Sequence, residues 1–394
     1  MSEFRDIVIA SACRTPVGAF QGALSSVAAP KLGSIAIAEA LHRAGLAGKD
    51  VDEVIMGEVL PAGVGQAPAR QAALSAGIPN HVPCTTINKV CGSGLKAVML
   101  AAHAIMVEDA DIVVAGGMES MSNAPYLLPK ARSGYRLGNG ELVDSLVKDG
   151  LWDVYNDYHM GNAAELCASE CNVPRAAQDE FSINSYKKAQ AAQENGSFKD
   201  EIVPVEIPQR KGEPISVTED EEPGRANFEK MLTLRPVFTK DGTVTAANAS
   251  SINDGAAACV VMSKERAQSL GIKWLGRIIA QASAARAPEW FTMAPADAIK
   301  KVLGRADLTL SDIDLFEVNE AFAVVNLAVA NELGIPLERM NIHGGAVALG
   351  HPIGASGARI LTTLLYAMRQ HDKRRGLATL CIGGGEAAAV VVER

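Results

Sequence analysis

The sequence predicts an α/β fold made from one βα unit used twice. Three landmarks recur in the same order. A short apolar strand follows an acidic turn in Val51-Asp-Glu-Val-Ile-Met-Gly and again in Ile313-Asp-Leu-Phe-Glu-Val-Asn. A small-residue elbow opens a long apolar helix in Cys91-Gly-Ser-Gly-Leu-Lys-Ala-Val-Met-Leu and in Gly354-Ala-Ser-Gly-Ala-Arg-Ile-Leu-Thr-Thr. An apolar strand ends in glycines in Asp111-Ile-Val-Val-Ala-Gly-Gly and in Leu377-Ala-Thr-Leu-Cys-Ile-Gly-Gly-Gly. The spacing is shared too: 39 residues from Asp52 to Cys91, and 40 from Asp314 to Gly354. Runs such as Ile112-Val-Val-Ala and Ala389-Val-Val-Val lack polar alternation, as strands covered on both faces do. Two mixed βα sheets packed through shared helices would bury both copies in one layered body.

Along the chain, the first strand is Ile7-Val-Ile-Ala, reached within six residues. On that reading no secretory signal peptide is expected. Residues 121–249 differ in kind from the copies they separate. They carry eight prolines, from Pro125 to Pro236, and the acidic run Glu219-Asp-Glu-Glu, expected to be a solvated loop. A helix is expected over 174–195, with Pro174 in its first turn and Gly196 just past its end. This stretch reads as an insertion laid over the core, where binding loops live. The expected division is residues 1–120 plus 250–273, then 121–249, then 274–394.

The bulk composition excludes several function classes. At 394 residues, 48% hydrophobic and 21% charged, the chain can bury a large core. A net charge of −8 argues against non-specific nucleic-acid binding. No run of 18 apolar residues occurs, so no membrane partner is expected. Seven widely spaced cysteines point to reduced thiols and a cytoplasmic compartment rather than a disulfide scaffold.

Four side chains have the chemistry and setting of a site. Cys91 sits where a strand gives way to a helix, and a helix N-terminus lowers a thiol pKa and offers free N–H groups. Cys381 ends a strand and is followed by Ile382 and Gly383-Gly-Gly, whose N–H groups can face a ligand. His351 is pinned by Pro352 and nearby glycines, a setting for a general base. Asn319 ends the strand that matches Val51–Gly57, with either water orientation or helix capping as its role. Cys167 and Cys171, four apart, read as one face of a helix.

These motifs resemble the thiolases over essentially the whole chain. The similarity rests on Asn88-Lys-Val-Cys-Gly-Ser-Gly-Leu-Lys-Ala, Gly116-Gly-Met-Glu-Ser-Met-Ser, His159-Met-Gly, Asn319-Glu-Ala-Phe, Gly344-Gly-Ala-Val-Ala-Leu-Gly-His-Pro-Ile-Gly-Ala-Ser-Gly and Cys381-Ile-Gly-Gly-Gly. The resemblance implies duplicated βαβαβαββ core domains in an α-β-α-β-α arrangement with an inserted loop domain. It implies Cys91 as acyl-accepting nucleophile, His351 as its activator, and Cys381 as the group that moves the α-carbon proton. Asn319 would hold a water at one oxyanion hole, and the N–H groups of Cys91 and Gly383 would form the other. His159, Met160, Phe238, Ser250 and Phe322 match positions lining a pantetheine tunnel, with Arg225 toward the adenine nucleotide.

Three positions depart from the commonest pattern: His343, Ser251 and Glu386. Trp152-Asp-Val-Tyr-Asn, Thr245-Ala-Ala-Asn-Ala-Ser and Phe291-Thr-Met-Ala-Pro are similar to acetoacetyl-CoA thiolases of mitochondrial type. In some of these, potassium binds at positions matching Tyr186, Ala246, Ala247, Ala249 and Val347. The implied reaction is reversible condensation of two acetyl-CoA to acetoacetyl-CoA and CoA, by a homotetramer with no permanently bound cofactor. The alternatives are a broader 3-ketoacyl-CoA thiolase and, outside catalysis, a binding protein on the same fold.

Overall fold

The structure is a computed structural model and describes residues 5–394. The first copy runs β1 (Ile7–Arg14), α1 (Ala29–Ala44), β2 (Glu53–Gly57), α2 (Pro68–Ser75), β3 (Cys84–Ile87), α3 (Ser93–Met106) and β4 (Ile112–Ser120). The insertion follows, with helices α4 (Met160–Glu170) and α5 (Arg175–Glu194). The chain then returns to the first copy as β5 (Asn253–Ser263). The second copy runs β6 (Gly276–Ala285), α6 (Ala294–Ala306), β7 (Leu315–Val318), α7 (Ala323–Leu333), α8 (Ser356–Gln370), β8 (Arg375–Ile382) and β9 (Glu386–Glu393).

The two copies share one strand order. The first is β3-β2-β4-β5-β1 and the second is β7-β8-β9-β6. Met340 bridges Phe316 in parallel where β3 would lie. Small contacts repeat as well. Asp52 accepts the N–H groups of Asp111 and Ile112, and Asp314 accepts those of Arg374 and Arg375. The expected pair of separate sheets is corrected in one respect. β1 and β6 pair antiparallel, Ile7–Ile9 against Gly276–Ile278, so the two sheets form one continuous sheet. Edge pairing satisfies N–H and C=O groups that would otherwise be buried without partners at the join.

Helices α1 and α2 cover the outer face of the first sheet, α6 and α7 that of the second, and α3 and α8 lie between them. The alternation in β1 serves this layering. Val8 and Ala10 enter the outer core, while Ile7 and Ile9 enter the central one with Leu95, Ile360 and Leu364. Truncating Ile360 to Ala would cost roughly 2–5 kcal/mol. α3 and α8 cross at their first turns, and glycine is required there on both sides. A Cβ on Gly94 would stand 2.8 Å from the Ala358 nitrogen, and one on Gly357 2.3 Å from the Leu95 nitrogen.

The helix expected over 174–195 spans Arg175–Glu194, with Pro174 as its cap residue. The acidic run is not a solvated loop. Asp220 is fully buried and pairs with Arg14 at 2.7 Å, and Arg14 also binds buried Glu201. Glu221 accepts the N–H groups of Ala19 and Ala23. The run pins the insertion to the first copy, because buried carboxylates are held only where cations and N–H donors meet them. No helix among the described residues is long and apolar enough to cross a membrane.

Candidate active site

Cys91 is presented by a strained turn between β3 and α3. Val90, immediately before it, has φ +47°, which is rare for a β-branched residue and is held by its surroundings. Ser93 braces the turn, accepting the Lys89 N–H at 2.8 Å and donating to the Val90 carbonyl at 2.7 Å. Gly92 leaves room for the second copy, since a Cβ there would meet Ile382 at 2.3 Å. The N–H groups of Gly383 and of Cys91 itself converge on the sulfur.

Burial reverses one sequence expectation. The helix N-terminus was to lower the Cys91 pKa, but burial pushes the thiol up to about 11, against the pull of the two N–H groups. The Glu119 carboxylate raises it further. His351 moves the other way, to about 3, through burial and then the nearby Arg359 cation. At neutral pH the pair is therefore an uncharged thiol and an uncharged imidazole.

The tautomer of His351 follows from its partners. Ser356 Oγ donates to the Pro352 carbonyl at 2.9 Å, so it accepts from His351 Nδ1, 2.6 Å away. That leaves Nε2 without a proton and facing the site, with Asn319 Nδ2 at 3.5 Å. Asn319 does not cap α7, whose cap residue is Phe322. Its backbone N–H binds the Thr379 carbonyl, and its buried Oδ1 has no partner. The His351 N–H is fixed by Asn253 Oδ1 at 2.8 Å.

Cys381 lies near the end of β8, almost wholly buried. Burial and then the neighbouring Cys91 raise its pKa well above the usual thiol range. Gly383, two residues further on, lines the cavity. Gly384 and Gly385 turn the chain at φ +90° and +88°.

A cavity of about 450 Å³ leads to Cys91, His351 and Gly383. His159, Met160, Arg225, Phe238, Ser250 and Phe322, the positions expected to bind coenzyme A, all line it. His159 stacks on Phe238 at 4.8 Å, and Phe322 meets Phe238 and Phe291 edge-on at 6.3 and 6.4 Å. His159 Nδ1 accepts the Gly161 N–H at 3.1 Å, and burial lowers the pKa of the ring. Ser250 donates to the Ala321 carbonyl through both N–H and Oγ. Arg225 stands at the exposed mouth, 3.7 Å from Glu222.

The sequence reading did not assign Met121, Leu151, Glu222, Ile252 and Ile353 to this cavity. Met121 and Ile353 lay inside quoted motifs, and only the fold shows which way they face. Ser251 donates to Asn253 Oδ1 at 2.9 Å, and Glu386 pairs with Lys89, so both departures from the common pattern are accommodated near the site.

Of the suggested cation positions, Ala246 and Ala249 line the cavity. Among the described residues, the Tyr186 phenol has no hydrogen-bond partner, and the turn carbonyls of Ala246, Ala247 and Ala249 accept no hydrogen bond. The Val347 N–H binds Glu320. Cys167 lies on α4 and Cys171 is the cap residue at its C-terminal end, with sulfurs 3.9 Å apart.

Comparison with known proteins gives the family. The N-terminal thiolase domain matches residues 7–265 and the C-terminal thiolase domain matches residues 272–394. The chain belongs to the thiolase family. This thiolase is 56% identical over 390 residues to an acetyl-CoA acetyltransferase of Cupriavidus necator, covering 99% of both chains. It is 54% identical to one of Schizosaccharomyces pombe, again over 99% of both. The crystal structure of the Bacillus anthracis acetyl-CoA acetyltransferase superposes with a TM-score of 0.97 at 40% identity, over the full length of both chains.

Proposed function

We propose that this thiolase is an acetyl-CoA C-acetyltransferase that condenses two acetyl-CoA to acetoacetyl-CoA and CoA, reversibly, through an acetyl-Cys91 intermediate. The observation that carries the proposal is the convergence of Cys91, the Gly383 N–H and an unprotonated His351 Nε2 at one cavity. Full-length similarity to acetyl-CoA acetyltransferases supports the acetyl substrate over the broader 3-ketoacyl alternative.

In the first half-reaction Cys91 attacks the thioester carbonyl. His351 Nε2 takes the thiol proton as the bond forms, because a resting thiolate–imidazolium pair is opposed by burial of both groups. The N–H groups of Cys91 and Gly383 receive the developing oxyanion, and Cys381 gives its proton to the departing CoA sulfur, leaving Cys381 as a thiolate and His351 protonated. In the second half-reaction the Cys381 thiolate so formed removes a methyl proton from the second acetyl-CoA. His351, carrying the proton taken from Cys91, and an Asn319-bound water hold the enolate oxygen; the carbanion attacks the acetyl group on Cys91, and the Cys91 sulfur leaves with the proton returned by His351. Cys91 cannot serve as this base, since its sulfur is esterified at that moment.

The oxygen donors at Tyr186, Ala246, Ala247, Ala249 and Val347 suit a hard monovalent cation such as potassium. Bound there, it would supply positive charge that steadies the 245–250 turn. We also propose a homotetramer, supported by the sheet-edge strand β3 and by exposed Leu128, Leu137 and Leu142 on one protruding loop. A cytoplasmic setting is supported by seven free cysteines. The domain division at 120/121, 249/250 and 273/274 belongs to the same proposal.

The test is kinetics in both directions with acetoacetyl-CoA and longer 3-ketoacyl-CoAs. A steep fall of kcat/KM beyond four carbons is expected. Equal turnover of eight-carbon substrates would favour the broader thiolase.

A further inference from the structure

His343 departs from the common pattern of its motif, and the structure gives it a partner 28 residues further along the chain. Its Nε2 lies 3.4 Å from Nε2 of His371, with the ring centroids 5.5 Å apart and the planes inclined at 46°. His343 is buried at 5% exposure, while His371 is exposed. The edge of Phe198, from the insertion, packs against the His343 ring at 5.9 Å.

We propose that His343 and His371 form a two-imidazole site for a divalent transition cation of the zinc class, with solvent water completing its coordination. The site lies outside the reaction cavity and goes beyond the acyl-transfer reading. Its first support is distance. Two imidazole nitrogens at about 2.05 Å from a tetrahedral ion stand about 3.3 Å apart, close to the separation present before any ion arrives. The ligands need little rearrangement, so little ordering entropy opposes binding.

The second support is charge state. A metal takes the neutral imidazole, and His343 is already neutral at physiological pH. Burial, then His371 and Lys188, bring its pKa down to about 4. Lys188 opposes a cation, which makes the site a moderate-affinity one. No group of three or more His, Cys, Asp or Glu able to hold a metal ion occurs among the described residues. The ion would therefore keep open positions on its exposed side.

The location gives the site a consequence. His343 begins the segment Gly344–Gly350 that leads to His351, and His371 ends α8, whose first residue, Ser356, fixes the His351 tautomer. A bound ion ties both ends of this structure together and raises the thermal midpoint by mass action.

The test uses Cys91→Ser as background, so that the reactive thiol does not compete for the probe. Zn²⁺ is titrated against a metallochromic chelator into this protein, and into the same protein carrying His343→Asn or His371→Gln. Micromolar binding is expected, weakened at least tenfold by either histidine replacement. Cu²⁺ electron paramagnetic resonance should show two coupled nitrogens, reduced to one in His371→Gln. His371 is exposed, so that variant is expected to fold normally, which circular dichroism checks. Absence of submillimolar binding, or binding unaffected by one or both replacements, overturns the site.

Discussion

The two copies of the βα unit are the same frame carrying different chemistry, and three of the positions where they differ belong to the candidate site. Aligned on Ser93 and Ser356, Cys91 matches Gly354. Aligned on Asp52 and Asp314, Gly57 matches Asn319. Aligned on Ile112 and Arg375, Met118 matches Cys381. In each pair one member is a chemical group and the other is packing. A Cβ on Gly354 would stand 2.6 Å from Glu119 Oε2, and one on Gly57 2.5 Å from Ser93. Met118 fills the outer core. Duplication thus supplied two equivalent crevice walls, and one thiol survives on each at non-equivalent places. In the proposed mechanism, that asymmetry would let one sulfur hold an acyl group while the other moves a proton.

The sharpest test separates the two thiols. Cys91→Ser should lower acyl transfer by about 10⁴-fold or more, as loss of a nucleophile does. Cys381→Ala should still form acetyl-enzyme on Cys91, seen by mass spectrometry. It should lose deuterium exchange at the acetyl methyl group together with condensation. A Cys381→Ala enzyme that exchanges normally would return Cys381 to packing, alongside its counterpart Met118.

Next in size is Asn319→Ala, which moves this position toward the glycine of the other copy. kcat should fall by about 10²–10³-fold with KM little changed, the scale of one lost oxyanion donor. A large rise in KM with normal kcat would make Asn319 a binding group.

The reverse exchange probes packing. Gly57→Ala places a methyl against Ser93 and should destabilise by about 1–3 kcal/mol, read by denaturant unfolding. An unchanged midpoint would mean that the elbow is looser than its contacts indicate.

The last comparison concerns the next residue in each copy. Glu320 is fully bonded, to Ser185, Asn341 and the Val347 N–H. Its counterpart Glu58 is buried with both carboxyl oxygens unpartnered. Burial, then Glu119, raises the Glu58 pKa from 4.5 to about 8. A raised folded pKa means that the folded state binds the extra proton. Its contribution is full below about pH 4.5 and is lost as pH rises through 8, at up to about 1.4 kcal/mol per unit. Glu58→Gln should therefore flatten the fall in stability between pH 5 and 8. Parallel pH profiles of mutant and wild type would place a partner on Glu58.

The sequence by itself determined the duplication and the layered α/β class, and it singled out Cys91, His351, Cys381, Asn319 and Gly383 as the candidate site. These were legible because reactive side chains stood beside glycines and prolines, and turn chemistry is local. Tertiary structure alone decided what depends on burial and on distant partners. It joined the two sheets through β1 and β6 and buried Asp220 against Arg14. It brought His343 to His371 and set the His351 tautomer through Ser356. It also turned Cys91 from a thiol activated by its helix into one held neutral by burial. A helix N-terminus is written in sequence, but the loss of water that outweighs it depends on residues from both copies and the insertion closing around one sulfur.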